Sequence, residues 1–225
     1  MTKKKDWTGT DKAIFRCNGA SGHAQGERAE HDYYATDPVA AEHLLKMEPQ
    51  LDKVWECFCG EGHLAKVLQR AGKLGAVSDL VDRGYYPEGV PTSYGKDFLQ
   101  MKKVWKGDIV SNPPYAAAIT WVEHCLDLVQ EGRYVALFMK ITFLEGKARK
   151  KFFEDNPPIR VWVSSSRIPC AKNGEFKKPK KDKNGNMVLN EKGEPVMVKE
   201  SSAACYCWFI WQKGYKGDTV VKWFN

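Results

Sequence analysis

With 225 residues, 43 % of them hydrophobic, the chain is long enough for one domain with a sizeable core, and no apolar run approaches the roughly 20 residues that cross a bilayer. A formal net charge of +7 leans towards a polyanionic partner, and the lysine-rich start with no apolar stretch behind it is no secretory signal, so an intracellular protein is expected. The seven cysteines are odd in number and include no CxxC pair, which reads as reduced thiols; Cys17, His23 and His31 lack the paired spacing of a zinc motif, and no metal is expected.

Residues 1–31 are polar and glycine-rich, with Lys3 to Lys5 at the start, and read as a flexible arm. A single domain is expected over 32–225. Thr36-Asp37-Pro38 is a helix-start signal, a capping side chain followed by proline, and Val39 to Met47 forms the helix behind it. Lys53 to Phe58 is a strand running into a glycine loop, Gly62 to Arg70 a helix with Leu64, Val67 and Leu68 on one face, and Leu74 to Asp79 a second strand. Thr92 to Tyr94, Asp108 to Ser111, Arg133 to Met139 and Ile159 to Val163 supply four more strands. Helices are predicted at Ala116 to Val129 and Phe143 to Glu154. Residues 170–200 differ in texture, rich in Lys, Gly and Asn, and carry the pattern of a projecting hairpin around Glu191 to Glu194; no internal repeat is evident. Two apolar strands follow, Ala203 to Trp211 and Thr219 to Phe224, with no helix between them, which predicts an antiparallel hairpin at the sheet's edge. Strands alternating with helices define an α/β fold with a mostly parallel sheet, and ligands of such sheets bind beyond the carboxyl ends of the strands.

The unusual loops fall at those ends. Glu56-Cys57-Phe58-Cys59-Gly60-Glu61-Gly62 has two glycines that permit a sharp turn, but position 65 is Ala where a dinucleotide loop has its third glycine. Glu56 and Glu61 would repel phosphate and suit a cationic ligand. Asp79 ends the second strand, where a carboxylate can accept hydrogen bonds from ribose hydroxyls, with Asp82 as a substitute. Asp97 and Phe98 close the third unit, where an acid can take an adenine amino group and a ring can cover the base. Each acid is also a plausible helix cap or surface charge taken alone.

Asn112-Pro113-Pro114-Tyr115 leaves the fourth strand directly. Two prolines stiffen the exit and bias Asn112 away from helix. An exocyclic amine is a poor nucleophile because its lone pair is delocalised into the ring. The Asn112 side-chain oxygen and the Pro113 carbonyl can accept its protons and free the lone pair, while Tyr115 stacks on the flat base. An Asn cap before a proline turn would look the same in isolation.

With these motifs in this order, residues 32–225 resemble the S-adenosylmethionine-dependent amino-methyltransferases, in particular the adenine-N6 DNA methyltransferases of phages and prophages. The resemblance implies a Rossmann-like class I fold, a seven-stranded, mostly parallel sheet with an antiparallel C-terminal strand. It implies S-adenosylmethionine as cofactor, held by Tyr34, Thr36, Glu56, Phe58, Gly60, Gly62, Asp79, Asp97 and Phe98, with Asn112, Pro113, Pro114 and Tyr115 catalytic. It also implies DNA as partner, no membrane, and the cytoplasm of a bacterial host. Tyr33 to Pro38 resembles the segment that closes over the methionine end of the cofactor. Nucleic-acid contacts are expected from Lys147, Arg149 and Lys150 on one helix and from Lys177, Lys178, Lys180 and Lys181 in the 170–200 insertion, the one candidate for target recognition. Phe143 is either a second stacking wall or core. RNA and protein glutamine are alternative acceptors of the same motif, and a non-catalytic nucleic-acid-binding role is the remaining alternative.

Overall fold

The computed structural model describes residues 34–115, 117–171, 174–200, 202 and 204–225; the expected arm at 1–31, Tyr33 and Lys172 lie outside the described residues. In chain order the elements are β1 (Ala35–Thr36), α1 (Val39–Met47), β2 (Val54–Glu56), α2 (His63–Arg70), β3 (Leu74–Asp79), β4 (Thr92–Tyr94), β5 (Ile109–Ser111), α3 (Ala118–Leu128), β6 (Tyr134–Lys140), α4 (Lys147–Asp155), β7 (Arg160–Ser164), β8 (Cys170–Ala171), β9 (Lys177–Pro179), β10 (Met197–Lys199), β11 (Tyr206–Gln212) and β12 (Val220–Phe224).

The main sheet has eight strands in the order β12-β7-β11-β6-β5-β2-β3-β4, one more than expected. Every neighbouring pair is parallel except the two made by β11, which runs antiparallel between β6 and β7. This corrects the expected edge hairpin. β11 and β12 are consecutive in sequence, yet β7 lies between them. Trp208 pairs with Phe138 on one side and Trp162 on the other, and β12 continues the edge in parallel with β7. The strongly apolar β11 is thereby placed in the interior, with Cys207 to Ile210 fully buried, and the more polar, exposed β12 takes the edge.

Alternating strand residues feed two cores. Trp55, Ile109, Leu137, Phe209 and Trp211 face α3 and α4; Val54, Val110, Phe138, Trp208 and Ile210 face α1 and α2. Burial of a large side chain contributes about 1.5–3 kcal/mol, so the paired faces dominate stability. The Asp37 carboxylate accepts the Val39 amide at 3.0 Å and starts α1 as its sequence predicts. α4 begins four residues later than expected, because Ile141–Leu144 forms a short 3-10 turn and Gly146 breaks the chain at φ 112°.

In the insertion β9 and β10 pair as two strands, and the segment 187–189 between them makes one isolated bridge to each side, where a single hairpin was expected. β9 pairs with β10, and Lys180, Val188 and Val196 bond one another in a closed ring of backbone hydrogen bonds. Two turns of the same design join the strands: Asp182 Oδ1 accepts Asn184 N and Asn186 N, and Asn190 Oδ1 accepts Lys192 N and Glu194 N. They stand eight residues apart, a short repeat whose Asp-x-x-Gly and Asn-x-x-Gly signatures differ enough to hide it in the sequence. No helix among the described residues is long and apolar enough to cross a membrane.

Candidate active site

The chain steps outward from β2 to β3 and β4, then returns to the other side of β2 for β5. Loops leaving β2 and β5 therefore diverge, and a crevice opens beyond their carboxyl ends. A cleft open to solvent lies there. Its lining comes from Tyr34 and Thr36 at β1, from the end of β2 and its loop (Glu56, Phe58, Cys59), the start of α2 (His63), the end of β3 and its loop (Asp79, Val81, Arg83) and the β5 exit (Asn112, Pro113, Tyr115).

Of the expected cofactor residues, Tyr34, Thr36, Glu56, Phe58 and Asp79 line this cleft, whereas Gly60, Gly62, Asp97 and Phe98 do not. Phe98 is buried among Trp55, Phe58, Trp121 and His124, and Asp97 accepts the Leu99 amide as the cap of a 3-10 turn. Neither lines the cleft, although Phe58, which does, packs edge-on against Phe98 at 4.9 Å. Asp82 is exposed and closes its own loop through Gly84 N and the Tyr86 hydroxyl.

Asp79 ties the two ligand loops together: Oδ2 accepts Gly60 N at 2.7 Å and Oδ1 accepts Val81 N at 3.0 Å. Gly60 and Gly62 adopt φ 53° and 77°, where side chains are strained, and a Cβ on Gly62 would strike the Tyr85 ring at 2.5 Å. Glu56 is only 2 % exposed, and its Oε2 has no hydrogen-bond partner. Burial first, and the Asp79 charge second, raise its pKa well above the usual carboxylate range, against a smaller opposing contribution from the Ala65 amide. An orphaned acid beside Asp79 fits a ligand that brings a positive charge and hydrogen-bond donors.

At the β5 exit, Asn112 Nδ2 donates to Thr36 Oγ1 at 2.8 Å and approaches Cys170 Sγ at 3.9 Å, while Asn112 Oδ1 is buried without a partner. Tyr115 stacks near Tyr34 with centroids 5.9 Å apart, its hydroxyl lies 2.5 Å from that of Tyr206, and Lys140 Nζ stands 4.3 Å from its ring centre. Burial raises the pKa of both phenols and lifts the Cys170 thiol to about 11, so all three are neutral at physiological pH. A second cleft, about 510 Å³, opens on the far side of the tetrapeptide between Pro113, Pro114 and Tyr115 and the Lys140, Phe143 and Arg149 side chains. Phe143 lines it but is almost wholly buried against Phe152, Phe153 and Phe209.

Sequence reasoning missed His63, Cys170 and Tyr206. His63 lines the cleft and meets Phe176 of the insertion edge-on at 5.4 Å; burial, with Lys66, lowers its pKa despite Glu61. Its place directly after Gly62 was the available signal. Cys170 and Tyr206 had none, since β8 and β11 deliver them from far along the chain. The insertion leaves the body after Cys170 and rejoins it at Tyr206, so both its roots touch the tetrapeptide.

The expected basic contacts divide. On α4, Arg149 donates to the Thr142 and Glu145 carbonyls and Lys150 pairs with Glu154 at 3.6 Å, while Lys147 is exposed. In the insertion, Lys178 pairs with Glu200 at 2.8 Å, and Lys177, Lys180 and Lys181 are exposed. No cluster of three or more His, Cys, Asp or Glu suited to a metal occurs among the described residues.

No family profile matches the sequence, and no curated protein is similar to it. Solved structures do match. A Listeria monocytogenes chain assigned to the class I S-adenosylmethionine-dependent methyltransferases is 13 % identical with a TM-score of 0.53, covering 95 % of this chain and 72 % of that one. A Thermotoga maritima S-adenosylmethionine-dependent O-methyltransferase is 16 % identical with a TM-score of 0.48, covering 80 % and 67 %. A Pyrococcus horikoshii chain assigned as an RNA methyltransferase is 11 % identical with a TM-score of 0.48, covering 92 % and 98 %. The Listeria likeness, with the sheet order, identifies the fold as the Rossmann-like fold of the class I methyltransferases.

Proposed function

We propose that this protein transfers a methyl group from S-adenosylmethionine to the N6 amino group of adenine in DNA. The observation that carries the reading is Asn112 Oδ1, a buried acceptor with no partner at a cleft that also holds an orphaned carboxylate oxygen on Glu56. Leaving such atoms unpaired costs about 1–3 kcal/mol each, and a donor-rich ligand relieves it. Glu56 and Asp79 would hold the cofactor, Glu56 facing its cationic end and Asp79 its ribose, with Phe58 and Tyr34 as apolar walls. The bound cofactor supplies an electrophilic methyl group.

Asn112 Oδ1 and the Pro113 carbonyl accept the amino protons of the acceptor, shift its nitrogen towards a tetrahedral shape and release the lone pair. With the cofactor bound, the methyl group would pass from sulfur to this nitrogen as its carbon–sulfur bond breaks, and one amino proton would then be lost to solvent. Tyr115 and its neighbour Pro114 line the second cleft together with Lys140, whose Nζ stands 4.3 Å from the Tyr115 ring centre, and would meet the base there. The insertion lysines favour a nucleic acid over a protein side chain as acceptor. Transfer of labelled methyl groups is measured in parallel to unmethylated DNA, RNA and protein. DNA labelling is expected, lost by at least about 100-fold in Asn112→Ala while cofactor binding survives. Label entering RNA or protein alone would overturn the choice of acceptor, and persistent activity of the variant would overturn the mechanism.

A further inference from the structure

The catalytic assignment of Asn112 leaves a question of orientation. An amide turned the wrong way would present Nδ2, a donor, to an acceptor amine that itself needs to donate. The sense of the amide is therefore as important as its position. Among the described residues, none within the β5 exit fixes it.

What faces the amide is a short ribbon from two distant parts of the chain. β1 and β8 pair antiparallel, with Thr36 directly opposite Cys170. Thr36 is 3 % exposed, and its Oγ1 accepts Asn112 Nδ2 at 2.8 Å. Cys170 Sγ lies 3.9 Å from both Thr36 Oγ1 and Asn112 Nδ2. Either group can donate across this contact; with the thiol taking the Thr36 hydroxyl proton, the hydroxyl lone pairs are left for Nδ2. Asn112 Oδ1 is then the atom left without a protein partner.

We propose that Thr36, supported by Cys170, is a positioning residue that sets the Asn112 amide with its oxygen towards the acceptor, rather than a ligand of the cofactor. The inference rests on the amino-methyltransferase reading of Asn112. Pairing in register lets two residues hold one amide from a rigid ribbon, where a single side chain would leave it free to rotate. The same ribbon is the root from which the insertion departs, so the element expected to meet nucleic acid is joined to the catalytic amide by one backbone.

The full chain is compared with Thr36→Val, Thr36→Ser and Cys170→Ala. Thr36→Val keeps the shape and removes the acceptor. It is expected to lower kcat on adenine-containing duplex DNA about tenfold, the weight of one neutral hydrogen bond, and to leave the Kd for S-adenosylmethionine within about twofold. Thr36→Ser restores kcat to within about threefold of the parent, and Cys170→Ala gives a loss of about threefold, since a sulfur contact is weaker. A second readout needs no acceptor: the side-chain amide protons of Asn112, identified as the pair missing from Asn112→Ala in a ¹⁵N spectrum, exchange faster with solvent in Thr36→Val. If Thr36→Val weakens cofactor binding in proportion to its loss of activity, Thr36 is a cofactor ligand and the proposal falls. Unchanged amide exchange would also overturn it. Should the parent protein methylate none of DNA, RNA and protein, the acceptor reading fails on its own, and the exchange measurement still decides the orientation.

Discussion

Single residues here are set by what they lack. Burial, and then the Asp79 charge, oppose ionisation of Glu56. Its folded pKa is raised, so between its ordinary value and the folded one the native state binds more protons than the unfolded state. Stability then falls as pH rises through that window. Glu56→Gln should raise resistance to denaturant at pH 8 relative to the parent, with the difference vanishing towards pH 4, and should weaken cofactor binding. Binding to the parent should release protons, seen by calorimetry in buffers of different ionisation enthalpy. A variant that is no more stable at pH 8 would remove the case for a strained acid. Glu56, Asp79 and the tetrapeptide were legible in the sequence because each is local to a loop that follows a strand. The partners of Asn112 were not, since a hydrogen bond between Thr36 and residue 112 depends on how β1 and β8 fold back over the sheet. Asp97 illustrates the opposite failure: its position fits a ligand contact, yet its side chain caps its own turn, an equally local use of the same chemistry.

At the scale of elements, periodicity located the main-sheet strands and the four helices but not the short β1, β8 and β9, and it could not supply pairing. Two apolar strands in succession look like a hairpin until the sheet shows a third between them. The insertion was legible by composition, but its ring of backbone hydrogen bonds depends on two Asx turns that only geometry reveals as equivalent. Charge bookkeeping also changes at this scale. Lys150 and Lys178 meet acidic partners, whereas Lys177, Lys180 and Lys181 lie exposed on the insertion beside outward-facing Met187, Leu189 and Met197. Replacing Lys177, Lys180 and Lys181 together by Gln should therefore lower the slope of log affinity against log salt by about 2–3 for duplex DNA. Lys150→Gln should leave the slope nearly unchanged. Fluorescence anisotropy across a salt titration measures both, and an equal slope in the triple variant would exclude the insertion as a phosphate-binding element.

For the whole molecule, one buried polar junction closes the fold. Glu48, 1 % exposed at the end of α1, accepts from Arg160 and Trp162 on β7 and from Gln50. Burial alone would raise its pKa, but these hydrogen bonds outweigh it and hold the carboxyl below its ordinary value of 4.5. The stabilisation is present above that value and is lost as pH falls through the folded pKa. Glu48→Gln should cost about 3 kcal/mol at pH 7, since it leaves the Arg160 charge with a weakened partner, and the gap should narrow as the medium is made more acid. Denaturant titrations at several pH values test this, and a gap that widened in acid would contradict it. The class of the fold followed from alternating elements, while its order, with β11 antiparallel inside the sheet, did not. That order also has a consequence in time. During synthesis β6 and β7 are complete well before Tyr206 to Gln212 exist, and the strand that must join them has not yet been made. Until it arrives both carry open edges, the kind of surface that recruits foreign strands. A nascent chain halted within the insertion would be left in that state, so folding of this sheet is tied to completing the segment that follows the insertion.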